Sequence, residues 1–371
     1  MDVRAILLTG PASDENAREL LGGLPIALLD VLGCPVLQRV AGRLHNSRFA
    51  EVMAVVDAGH TGAPGLPPTP RGVPCLVTSG QAFWEAVQRV FSRYAQSGAD
   101  LVLIVRLGAY AEVEYDKLIQ AHLDGNAHIT AVINERNEPL GTFLVNASRR
   151  NDVTFLLHHR LKESRTAPSP YRFRGYCNPL STAADIRRLA VDAFFGTVRI
   201  APEGSEIRPG VWVANGARLR NGARIVAPAF IGRGSQVHPF AVVTRCTALE
   251  RHTIINEGTV LEDATVLPET RVGAGLDVAH AVVGSGHIYD LRRGIEVSIA
   301  DPRLVGPARS ASAHFWARTA ARLTPHVSLS RLRSLLDRDR PLSAEAPATA
   351  ETGVTALAAG RTCPDSQSGT D

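Results

Sequence analysis

Three groups of residues have the type and setting to do chemistry. The histidines come first. His238 and His252 lie inside a regularly repeating stretch, and His280 and His287 lie beyond it. A histidine beside a cleft can take a proton from an acceptor as a general base. His238 directly follows an interior position of the repeat, which turns it outward. His158-His159 has no third ligand at metal spacing and reads as surface. The second candidate is Arg106, at the end of the apolar run Leu101 to Val105. Open α/β sheets bind ligands at the carboxyl ends of their strands, so a guanidinium there would hold a phosphate or cap the sheet and face water. The third is Gln81, which opens a helical stretch after Ser79-Gly80, since helix N-termini favour anions.

These residues are carried by two stretches of different periodicity. In the first, Ala5 to Leu8, Val52 to Val56, Leu101 to Val105 and Ile129 to Ile133 read as buried strands. Between them Val36, Leu37, Val40 and Leu44 fall at helical spacing. So do Phe83, Val87, Val90, Phe91 and Tyr94, and a further helix spans Tyr115 to Leu123. Gly59 to Val73 is rich in Gly and Pro and reads as a loop. Apolar strands separated by amphipathic helices predict a parallel sheet covered on both faces, and a helix near Ala183 to Phe195 closes this half.

The second stretch repeats every six residues. Ile207, Val213, Leu219, Ile225, Ile231, Val237, Val243, Leu249, Ile255, Leu261 and Leu267 form an unbroken aliphatic series. Small residues stand two positions before them. Gly210, Gly216, Gly222, Gly234 and Gly258 follow three positions after, where a tight turn needs a permissive backbone. This is a hexapeptide repeat, the signature of a β-helix, with three hexads per triangular coil and the aliphatic residue inside. Val272, Val278 and Val283 extend it after a slip of register.

The chain has 371 residues, 45% hydrophobic and 20% charged, which suits a soluble protein of two domains and a tail. No apolar run is long enough to span a membrane, and Ala5 to Leu8 is too short for a signal peptide. The net charge is +4, with a pI near 8.9. That charge is not gathered on one aromatic-laced face, so nucleic acid is not an expected partner. Cys34, Cys75, Cys177, Cys246 and Cys363 are odd in number and include no CxxC pair. They indicate neither a zinc cage nor a disulfide framework, and a cytoplasmic location follows. The expected organisation is an α/β domain over 1–197, a repeat domain over 198–300, a basic, partly helical segment over 301–340, and a disordered tail over 341–371.

The order of these domains resembles that of the sugar-nucleotide pyrophosphorylases, of the mannose-1-phosphate guanylyltransferase type, over about residues 3 to 285. That family opens with a strand, a GGxGTRLxP loop and a PKPLLPVxGKPLL segment. Here the frame Pro25, Leu28, Leu29, Val31, Gly33, Pro35 and Leu37 is kept. The resemblance implies an α/β plus β fold: a Rossmann-like nucleotidyltransferase (GT-A-like) mixed sheet with helices on both faces, then a left-handed parallel β-helix. It also implies nucleotide or sugar-phosphate contacts from Gly10 in the loop, from Gln81 where the family reads the base, and from Lys162, which matches the lysine of an EKP motif.

The family's charged groups are missing. The loop arginine falls near Glu15 or Asn16, and the PKP lysine is Ile26. The two aspartates that hold Mg²⁺ align with Gly108 and Pro179, with Asn178 as a substitute beside the latter. Phosphoryl transfer depends on cations and metal to neutralise charge. The sequence therefore predicts a degenerate, non-catalytic copy with no cofactor. Its β-helix would mediate self-association or pairing with an active pyrophosphorylase, and a nucleotide sugar is a possible ligand. One alternative is a diverged, Mg²⁺-using nucleotidyltransferase with Asp57, Glu112 or Asn178 as ligands. The other is a hexapeptide-repeat acyltransferase using a β-helix histidine.

Overall fold

The computed structural model describes residues 1–9, 26–57, 73–78, 81–148, 170–284 and 286–308. In chain order the α/β part comprises β1 (Val3–Thr9), a 3-10 turn (Ile26–Leu28), β2 (Asp30–Val31), β3 (Cys34–Pro35), α1 (Val36–His45), β4 (Phe49–Asp57) and β5 (Cys75–Thr78). It continues with α2 (Gln81–Gln96), β6 (Leu101–Arg106), β7 (Tyr110–Ala111), α3 (Tyr115–Asp124), β8 (Ile129–Ile133), β9 (Pro139–Asn146), β10 (Tyr171–Arg172), β11 (Cys177–Asn178) and α4 (Ala183–Phe194).

Seven of these strands form one sheet in the order β10-β8-β9-β6-β1-β4-β5. The strands expected from the apolar runs are present, and β1 pairs in parallel with both β4 and β6, whereas β8 pairs antiparallel with β9. The sheet is nonetheless mixed, because β9 runs antiparallel between β6 and β8. β1 and β6 are buried because the sheet is covered on both sides. Val40 and Leu44 of α1 and Ile186 and Leu189 of α4 pack on one face. Phe83, Val87, Phe91 and Tyr94 of α2 pack on the other. α4 starts at a capping box, with Thr182 and Asp185 exchanging side-chain to backbone bonds.

From residue 211 onward short parallel strands stack on three faces, an arrangement compatible with a β-helix. The first face stacks Val211–Val213, Ala229–Ile231, Thr247–Leu249, Thr265–Val266 and Ala281–Gly284. The second stacks Arg218–Leu219, Gln236–Val237, Ile254–Ile255 and Thr270–Val272. The third stacks Arg224–Ile225, Val242–Thr244, Val260–Glu262 and Asp277–Ala279. Ile225, Ile231, Val237, Val243, Leu249, Ile255 and Leu261 are buried in a shared core, each contributing about 1.5–3 kcal/mol by burial. The corners use left-handed backbone, as at Gly216 (φ +75°) and Gly222 (φ +86°).

Four of the expected interior positions are placed differently. Ile207 is 51% exposed because its strand, Ser205–Arg208, pairs antiparallel on the outside of the first rung. Leu219 is 37% exposed because no strand stacks before it on its face. Val213, also in the first rung, is half-buried. Leu267 is buried, but in the core of the α/β part. The coil loses one residue there. Ile231 pairs with Leu249, 18 residues on, whereas Leu249 pairs with Val266, 17 residues on, so Val266 takes the interior column.

The described residues all belong to one compact unit. The segments expected over 301–340 and 341–371 lie, beyond residue 308, outside the described residues. Among the described residues no helix is long and apolar enough to cross a membrane.

Candidate functional site

The chain runs from β1 out to β4 and β5, then returns through α2 to β6 on the opposite side of β1. Crevices at such reversals are where open α/β sheets bind ligands. Arg106 stands at this mouth, paired in register with Leu8, and the Leu107 N–H donates to the Leu8 carbonyl at 2.9 Å. Its side chain is exposed and makes no hydrogen bond or ion pair among the described residues. Gly141 (φ +66°) lets β9 come close here: a Cβ on it would lie 3.0 Å from the Arg106 carbonyl oxygen and 3.2 Å from the Arg106 Cβ. At the ends of neighbouring strands, the Thr9 and Thr78 hydroxyls are buried without a hydrogen-bond partner among the described residues. α2 begins at Gln81, whose side chain lies outside the described set, as do Gly10, Lys162, His158 and His159.

β7 and β11 form a two-stranded antiparallel ladder in which Ala111 pairs with Cys177 and Tyr110 with Asn178. It brings the segment after Arg106 alongside the segment before α4. Gly108 and Pro179 therefore leave the ladder at the same end. Gly108 has open space around it, with nothing within 4 Å of a Cβ built there.

The oxygen-bearing side chains around this ladder are already engaged. Asn178 is 2% exposed. Its Nδ2 donates to the Asp185 carbonyl at 2.9 Å, and its Oδ1 accepts from the Leu180 N–H at 2.9 Å. The Asp185 carboxylate accepts from Ser181 and Thr182 backbone and hydroxyl groups at 2.9–3.1 Å. Glu112 accepts from the Arg199 N–H at 2.6 Å and the Tyr110 hydroxyl at 3.3 Å. Burial pushes the Tyr110 phenol up to about 12. Divalent magnesium needs several free oxygen ligands in octahedral geometry. The side chains at Gly108 and Pro179 offer none, and Asn178 is spent on the helix cap, so this donor set does not fit Mg²⁺. Among the described residues no group of three or more His, Cys, Asp or Glu is gathered as a metal site requires.

The histidines are scattered. His238 is half-buried, and the His252 ring lies over Gly234. His287 comes within 3.0 Å of Glu296 but is not aligned for a hydrogen bond. His280 Nδ1 sits 2.6 Å from Asp263 Oδ2, and Asp263 Oδ1 accepts from Arg187 at 2.5 Å. Arg187, from α4, is 4% exposed and also donates to the Cys246 carbonyl at 2.7 Å. Burial raises the Asp263 pKa, but the bonds from Arg187 and His280 outweigh it and hold the carboxyl below its usual range.

A second cluster, absent from the sequence reading, joins the sheet to the coils. Leu32 (φ +51°) and Gly33 (φ +90°) form the tip of the β2–β3 hairpin. Their N–H groups donate to the two carboxylate oxygens of Glu250, both at 2.8 Å. Asp30 pairs with Arg251, and Arg39 donates to the Val31 and Leu32 carbonyls. Burial pushes the Glu250 carboxyl up to about 7, helped by the negative charge of Asp30 and opposed by the two N–H donors. Burial also raises Asp30, against the pull of Arg251. The sequence held no local signal for this cluster. Glu250-Arg251 directly follows interior Leu249 and so turns outward, where a hexapeptide coil normally carries polar residues, and its partners lie 217 to 221 residues away.

No protein-family model matches the chain, and no curated protein matches it at a significant level.

Proposed function

We propose that this chain is a sugar-nucleotide pyrophosphorylase-like protein of polysaccharide or glycoconjugate biosynthesis, non-catalytic, acting in the cytoplasm as a regulatory or scaffold partner of an active pyrophosphorylase. In this reading the mixed sheet is a nucleotidyltransferase-like domain and the coil stack is a left-handed β-helix that carries the association. The observation that carries it is the β7–β11 ladder. It sets Gly108 and Pro179, the positions that the resemblance assigns to the two metal aspartates, at one end, with Gly108 two residues on from Arg106, whose side chain has no partner among the described residues. An arginine with no ion-pair partner among the described residues suits a phosphate group directly. The carboxylate and amide that could substitute, Glu112 and Asn178, hold backbone and helix cap instead.

Arg106 would hold a phosphate of a nucleotide sugar at the mouth between β1 and β6. Calorimetric titration with GTP, GDP-mannose and mannose 1-phosphate tests this. The expected result is weak binding, unchanged by replacing Mg²⁺ with a chelator and lost in Arg106→Ala. Silence from all three ligands at millimolar concentration removes the reading of a retained site.

A further inference from the structure

The ends of the coil stack are finished unequally. At the far end, Val305–Pro307 adds antiparallel to Thr270–Val272, and His287–Asp290 adds to Ala281–Gly284. At the near end Ser205–Arg208 covers the first face. Among the described residues the first strands of the other two faces, Arg218–Leu219 and Arg224–Ile225, and the last strand of the third face, Asp277–Ala279, have a strand on one side only. Arg208 donates to the Ile225 carbonyl, which leaves Arg218–Leu219 as the open edge at the near end. Such edges present unpaired backbone N–H and C=O groups and accept an added strand.

Charge is partitioned along the same axis. Between Ile207 and Leu249 there is no Asp or Glu and there are six arginines; between Glu250 and Gly284 there are six acidic residues and two arginines. At the open edge Arg218, Arg220 and Arg224 are exposed, and none has an ion-pair partner among the described residues. Apolar surface lies among them: Leu219 at 37%, Val226 at 37% and Phe240 at 68% exposure.

We propose that this open edge receives an acidic β-strand from another protein, one carrying an aliphatic residue between two carboxylates. The register dictates that pattern. A strand laid on Arg218–Leu219 continues the column Leu219, Val237, Ile255 with its own aliphatic side chain. Side chains alternate along a strand, so the residues on either side stack over Arg218 and Arg220, where carboxylates pair. A second copy of this chain is a poor occupant, because joining two such edges sets arginine against arginine. The inference stands on the coil stack alone and does not depend on the nucleotide reading.

The test is fluorescence anisotropy with the full chain and a labelled decapeptide of alternating Glu and Val. The expected result is saturable binding, weakened at least tenfold by R218E/R220E/R224E with no change in thermal midpoint. Backbone N-methylation at alternate peptide residues should abolish it. Equal affinity for a poly-glutamate decapeptide would show a charge-only surface and overturn the proposal. So would an absence of binding, or a sedimentation dimer that the triple substitution dissolves, which would assign the edge to a second copy.

Discussion

Replacing Glu250 probes the junction between the sheet and the coils. Its carboxylate is fully buried and accepts from the Leu32 and Gly33 N–H groups, at 2.8 Å each. Glu250→Ala strands both donors. At about 1–3 kcal/mol for each unsatisfied buried group the loss is about 2–6 kcal/mol, against a total stability on the order of 5–15 kcal/mol. The pH dependence has a definite sign. The carboxyl stands near 7 in the fold against about 4.5 for an ordinary glutamate, so between those limits the native state holds the proton more tightly than the unfolded chain. Stability from this group is therefore fully present below pH 4.5 and declines as pH rises to about 7, by on the order of 3 kcal/mol. Glu250→Gln removes that slope, so the advantage of the parent protein over E250Q should shrink between pH 5 and 7.5. Urea unfolding followed by tryptophan fluorescence at both pH values measures it. An alanine variant within 0.5 kcal/mol of the parent, or a parent advantage that grows with pH, would refute the reasoning.

Arg187→Ala should cost about 2–4 kcal/mol in the same unfolding assay, because it leaves Asp263 Oδ1 and the Cys246 carbonyl without the Arg187 donor. Asp263 titrates below its usual range, so its contribution is present at neutral pH and lost as pH falls through that lowered value; Asp263→Asn should flatten the acid limb of a thermal-midpoint profile. Gly33→Ala should destabilise by about 1–3 kcal/mol, since φ is +90° and its Cβ would meet Glu203 at 2.8 Å and Phe230 at 2.9 Å. Ile255→Ala should cost about 2–5 kcal/mol, whereas Leu219→Ala, at the open end, should cost under about 1 kcal/mol by calorimetry.

The sequence made the coil stack legible because a six-residue period forces each aliphatic into one column. That held from Ile225 to Leu261, and it slipped at Leu267 because a one-residue deletion changes which neighbour faces inward. The strands from Ala5, Val52, Leu101 and Ile129 were legible as apolar runs. β9 was not: Pro139 and Gly141 interrupt its pattern, and its direction is set by its neighbours and not by composition. Arg106 could be placed at a strand end from sequence, and its lack of a partner among the described residues needed the structure. The Glu250, Asp30 and Arg187 contacts join residues 58 to 221 positions apart, beyond any local spacing.

The central claim is that the scaffold is kept without the groups that transfer a nucleotidyl unit. Steady-state pyrophosphate release, with several nucleoside triphosphates and sugar 1-phosphates and with Mg²⁺ or Mn²⁺, tests it most directly. The account predicts no turnover above the protein-free rate. Turnover above about 1 s⁻¹, within the ordinary enzyme range, would contradict it.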